Sequence, residues 1–177
     1  MLIGNIRSIV TENYASLVHE AKGTGKYAKS KVFLIFLLLP SVLGGFIGYT
    51  VPVWQGFISP MFPALGVLTG FSINMLVLLT GHSEEDSYNL KTEVVEQTQD
   101  FTLYSILNGV VLIAALIAAM VIMRGVLGSN RVFGLVPVEV VMVGISILIY
   151  SLLVHYILVL VVMTHRLHSL VNIKAFD

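Results

Sequence analysis

Four polar side chains, Ser41, Asn74, Asn108 and His155, stand inside stretches that are otherwise apolar, and theirs is the chemistry that needs explaining. A hydroxyl, amide or imidazole removed from water must find a hydrogen-bond partner, so such groups face a bundle interior or a wet cavity. His155 is the ionisable member, with a ring that changes charge near neutral pH. Ser41 lies nine residues after Val32, Asn74 six before Thr80, Asn108 seven after Phe101 and His155 eight before Met163. At a helical rise of 1.5 Å per residue, the offsets put all four about 9 to 14 Å below one face of a bundle. The expectation is a single polar layer. It can line a hydrated path or gate past Asn74, Asn108 and His155, or it can tie helices together for about 0.6 kcal/mol per bond. No carboxylate lies deep in these stretches, which counts against proton-coupled transport, where acidic relays are usual.

A second cluster is acidic. Between Gly81 and Asp100 the chain carries Glu84, Glu85, Asp86, Glu93, Glu96 and Asp100 against one Lys91. Ser83 suits a helix cap with acids in the first turn, where the helix dipole favours them. Its opposites in charge are Lys26, Lys29 and Lys31, before the first apolar stretch, and the tail His165-Arg166-Leu167-His168. The cluster therefore points to electrostatic pairing within or between subunits, to docking of a cytosolic partner, or to cation attraction at a pore mouth. His165 and His168 share a helix face but lack a carboxylate to complete a metal site. No metal and no cofactor are expected.

Catalysis finds no foothold. There is no serine elbow, no His-Glu-x-x-His helix and no carboxylate pair inside an apolar stretch. Gly23-Thr24-Gly25-Lys26 imitates a phosphate loop but lacks the upstream glycine and the preceding strand. The absence of cysteine removes disulfides, thiolate metal sites and a thiol nucleophile. Formal charge is zero, so nothing calls for nucleic acid.

The elements that must position these residues are four apolar runs, Val32 to Val51, Phe62 to Thr80, Phe101 to Met123 and Pro137 to Met163. Each approaches the ~20 residues that cross a bilayer. The 177 residues are 56% hydrophobic and only 11% charged, with a mean hydropathy of +0.92, against about 25% charged for soluble domains. The expected fold is an all-α integral membrane protein, a four-transmembrane-helix bundle. Residues 1–31 precede it and residues 164–177 follow it as a tail.

Before the first run, Leu2, Ile3, Ile6, Ile9, Val10, Leu17 and Val18 recur at helical spacing with polar residues between them. This predicts an amphipathic helix from Leu2 to Lys22, lying on the membrane surface or docking a partner, and it rules against a cleavable signal peptide. Eight of the ten basic residues fall in the N-terminal segment, the middle loop and the tail. That bias puts both termini and the acidic loop in the cytoplasm, and Pro52 to Met61 and Arg124 to Val136 outside. The first outer loop, with Trp54, Pro60 and Pro63, is an interfacial turn, with a re-entrant segment as the alternative. Gly44 with Gly48, Gly66 with Gly70, Ala114 with Ala118 and Ala115 with Ala119 are small pairs that let helices approach closely. Pro40 is expected to kink the first span.

The amphipathic N-terminal segment, the basic entry Lys26-Tyr27-Ala28-Lys29-Ser30-Lys31, the four short-looped spans and the acidic loop from Glu84 resemble the small four-span membrane subunits of bacterial phage-defence systems of the Kiwa type. The resemblance is one of layout and transfers no site residue. It implies a membrane sensor or anchor working with a cytosolic protein in the inner membrane of a bacterium. The expected function is thus a non-enzymatic, self-associating sensor or scaffold subunit, with an oligomeric gated ion channel as the alternative. A small-molecule exporter lacks both an inverted repeat and a charged substrate site.

Overall fold

A computed structural model describes the backbone of residues 28–53, 55–83, 89–126, 131–132 and 136–174. The expected amphipathic helix, Lys26, Glu84, Glu85 and Asp86 lie outside the described residues, as do the side chains of Lys29, Glu93 and Glu96.

The first span is built from α1 (Ala28–Phe33), a π-helical turn (Leu34–Leu38) and α2 (Leu39–Thr50). The second lies in α3 (Gln55–Ser83), the third in α4 (Asn89–Val126) and the fourth in α5 (Val138–Lys174). Between the last two, β1 (Arg131–Val132) pairs antiparallel with β2 (Val136–Pro137), Arg131 opposite Pro137 and Val132 opposite Val136. The described architecture is otherwise helical. Four segments, Ser30–Thr50, Gly56–Thr80, Gln97–Arg124 and Val138–His168, are long and apolar enough to cross a membrane.

Pro40 has no N–H, so the Phe36 carbonyl loses the donor that would normally reach it from four residues on. The chain widens into a π turn just before it, with the Leu39 N–H reaching back five residues to the Leu34 carbonyl. The expected disturbance in the first span is therefore a π-bulge. Pro60 and Pro63 are a different case, because both sit inside α3 rather than in a loop ahead of it. Helix begins at Gln55, in place of the irregular turn or re-entrant segment that the prolines predict. They strip the helical donors from the Gly56 and Ser59 carbonyls, and the helix continues past both prolines to Ser83.

The first span packs on α5, α5 on α4 and α4 on α3. Gly44 and Gly48 make the first contact possible. A Cβ on Gly44 would run into the Ser151 backbone, and one on Gly48 would come within 2.5 Å of the Ile147 Cα. Gly66 and Gly70 are the opposite, with open space where a Cβ would be. In α4, Ala119 is buried and Ala115 half-buried, whereas Ala114 and Ala118 face out.

Large apolar side chains cover the outside of the bundle, and several small polar ones lie inside it beside the hydrophobic core. Phe46, Tyr49, Val67 and Val121 are 65% to 74% exposed, while Ser72, Thr98, Thr102, Ser105 and Ser146 are fully buried. Such an apolar exterior is compatible with a lipid environment. Inside, the end of the bundle near Val53 is packed mainly with apolar side chains, Val53, Ile58, Leu112, Leu116, Ala119, Ile149 and Tyr150. Polar side chains gather toward the other end, where Arg166 lies.

Candidate functional site: the His155 bridge

His155 projects from the middle of α5 and touches two other spans. Its Nδ1 is 2.8 Å from the Phe36 carbonyl oxygen, and its Nε2 is 2.9 Å from the Tyr104 hydroxyl. A carbonyl oxygen only accepts, so Nδ1 carries the hydrogen. In the neutral ring Nε2 then holds a lone pair, and Tyr104 O–H donates to it. The Tyr104 ring stands edge-on to the imidazole, with centroids 6.0 Å apart and planes at 86°.

The partner on the first span is a direct product of Pro40. Phe36 is the residue whose carbonyl the proline leaves without a helical donor, and the His155 ring supplies one. Asn108, one turn beyond Tyr104 on α4, lies close enough to act on the Tyr104 hydroxyl. Its Nδ2 is nevertheless buried and makes no hydrogen bond of good geometry. The site is thus a short hydrogen-bonded chain from Tyr104 through His155 to Phe36, with Asn108 beside its Tyr104 end, and it joins three helical segments.

The other two members of the expected layer are elsewhere. Ser41 is exposed and donates to its own helix, 2.7 Å from the Leu37 carbonyl. Asn74 is also exposed, on the outward side of α3, and bonds no described residue. Equal depth did not place the four groups on one face, because depth is set by residue count and direction by helix rotation. The structure brings together Asn108 and His155 and separates both from Ser41 and Asn74.

Three further polar contacts hold the interior. Ser146 accepts the Val53 N–H at 2.9 Å and donates to the Met142 carbonyl at 2.7 Å, which pins the turn between the first two spans to α5. Ser72 and Ser105 lie 3.3 Å apart between α3 and α4. Tyr156 reaches the Thr69 hydroxyl at 3.5 Å past Gly109, where a Cβ would come within 2.5 Å of the Thr69 Oγ1.

At the far end Arg166 is 7% exposed. Its guanidinium lies 4.0 Å over the Phe101 ring, with Nη1 donating to Gln97 Oε1 at 3.4 Å. Cation–π contact and hydrogen bond together clamp α5 to α4 where both leave the apolar zone. Of the expected docking residues, Lys31 is exposed at the start of the first span.

Sequence reasoning passes over Tyr104 and Phe36, and it takes Arg166 only as a tail charge facing the acidic cluster, not as a partner of Phe101 and Gln97. The signal for Tyr104 is its place one turn before Asn108, and for Phe36 its place one turn before Pro40. Arg166 has only the Gln97 and Phe101 pair, one turn apart, as a clue. Chemically, the cluster can exchange a proton and reorder hydrogen bonds. Among the described residues no group of three or more metal-ligating side chains forms. Compared with known proteins, the chain matches no family model, no curated protein and no solved structure.

Proposed function

We propose that this chain is a non-enzymatic membrane sensor or scaffold subunit that self-associates in the inner membrane of a bacterium and docks a cytosolic protein. The observation that carries this reading is the length of the last two helices. At 38 and 37 residues they run about 57 and 55 Å, against a hydrocarbon core of about 30 Å. The surplus lies at the Arg166 end, where Asn89 to Asp100 and Thr164 to Lys174 continue the spans as helix. Arg166 joins the two extensions to each other. By the basic-residue bias this end is cytoplasmic, so spans and docking platform are continuous rods. Asn74, outward on α3 without a described partner, supports self-association, since an amide facing lipid gains from a second copy.

The test is site-specific photo-crosslinking from positions 93 and 96 in the native host, with adducts identified by mass. A discrete cytosolic adduct that disappears when Glu84, Glu85 and Asp86 are reversed to Lys supports docking; no adduct, or one indifferent to the reversal, refutes it. A role in phage defence, as the layout resemblance implies, adds that the same reversal removes protection in a plaque assay.

An ion path is the second reading, favoured by Asn108 and His155 both lying beside Tyr104 inside the bundle. Against it stands the apolar packing of the Val53 end, which obstructs a route through one bundle. Proteoliposome flux that changes in Asn108→Leu or His155→Leu, with the oligomer intact, is the result that would restore it.

A further inference from the structure

We propose that His155 is a proton-operated latch on the first span, a reading that rests on the sensor function above and supplies its stimulus. The latch has two hydrogen-bond orders. In the neutral order Tyr104 O–H donates to Nε2, and Nδ1–H holds the Phe36 carbonyl. When a proton from water binds Nε2, the ring donates on both sides and Tyr104 must become an acceptor. The Tyr104 hydrogen then needs a new acceptor. Asn108 is placed to offer one, since its buried Nδ2 is without a bond and turning the amide presents Oδ1 to Tyr104.

The charged order has no carboxylate bonded to it among the described residues. On α4 the titratable group against the ring is Tyr104, with Asp100 one turn further toward the Arg166 end. On the first span Lys31 and Tyr49 are both exposed, near its opposite ends. On α5 itself Arg166 is turned onto Phe101. The two ring nitrogens are taken up by Tyr104 and Phe36, and a cation in hydrocarbon without a bonded anion is costly until water reaches it.

The way for water to enter is along the first span. Among the described residues that span packs chiefly on α5, and beside the ring its backbone is a π turn rather than regular helix. The charged Nδ1–H holds the Phe36 carbonyl more strongly than the neutral one, but hydrating a buried cation outweighs one hydrogen bond, so proton uptake swings the α1 end outward and water replaces the carbonyl at Nδ1. The Gly44 and Gly48 contact further along serves as the fulcrum.

The chain has no cysteine, so a spin-label pair introduced as Leu34→Cys with Val161→Cys reads this motion directly. In the purified full chain in lipid nanodiscs, lowering pH from about 8 to about 5 should lengthen the distance by about 5 Å, half a helix diameter. His155→Asn retains an N–H for Phe36 but cannot titrate, and should keep the short distance at both pH values. A pH-independent distance in the unsubstituted background, or the same lengthening in His155→Asn, overturns the latch.

Should His155→Asn fail to insert, a second measurement decides. With His19, His82, His165 and His168 replaced by Gln, nitrogen NMR of the remaining ring should show Nδ1 protonated and Nε2 bare at high pH, and both protonated at low pH. The opposite tautomer, or a ring that never titrates, overturns the proposal. No partner is present in these experiments, so a failed latch leaves docking standing, and failed crosslinking leaves the latch standing.

Discussion

His155 Nδ1 lies 2.8 Å from the carbonyl of Phe36, the oxygen that Pro40 deprives of its helical donor. A side chain on the fourth span thus completes the backbone hydrogen bonding of the first. The relation predicts coupling. His155→Leu should cost about 1 to 3 kcal/mol by orphaning the carbonyl and the Tyr104 hydroxyl. In a Pro40→Ala background, where the restored backbone N–H can donate to Phe36, the cost should fall by about 1 kcal/mol. Reversible unfolding in mixed micelles measures both, and equal costs in the two backgrounds would show that the bond is incidental.

The two glycine pairs make a matched experiment. Gly44→Val or Gly48→Val must force the first span off the backbone of Ser151 or Ile147, at about 1 to 3 kcal/mol for overpacking. Gly66→Val and Gly70→Val meet open space and should leave the protomer's stability unchanged. A stability order with the second pair worse than the first would contradict the packing described.

Arg166 should matter through shape as well as charge. Arg166→Leu removes both the contact over Phe101 and the bond to Gln97, for a loss of about 0.5 to 2 kcal/mol. Lysine keeps the charge but not the planar fork and should recover only part of it. Amide hydrogen exchange is the readout, with faster exchange at residues 97–101 and 164–168 and none of that change near Val53.

Ser146→Ala leaves the Val53 N–H buried with no acceptor, a cost of about 1 to 3 kcal/mol. Hydrogen exchange at Val53 should accelerate by about fivefold or more, the rate ratio that about 1 kcal/mol implies when exchange runs through a fast local opening equilibrium. If Val53 stays protected, another acceptor has replaced the serine.

The four long helices were legible from the sequence because crossing a bilayer is a demand on length and composition, and both are written in the order of residues. The Pro40 disturbance was legible for the same reason, since a missing N–H is a local fact. Its consequence was not, because the replacement donor comes from a ring 119 residues away. Depth along each span was a matter of counting, and it put Ser41, Asn74, Asn108 and His155 at one level. Rotation about each axis was not countable. In an apolar run the hydrophobic periodicity that marks an inner face in soluble helices is nearly absent, so nothing local says which side meets a neighbour. Packing made that choice: Gly44 and Gly48 let the first span approach α5 with Phe36 against His155 and turned Ser41 outward. In the same way Asn74 was left on the outer side of α3, and Tyr104, silent in the sequence, became the link between Asn108 and His155.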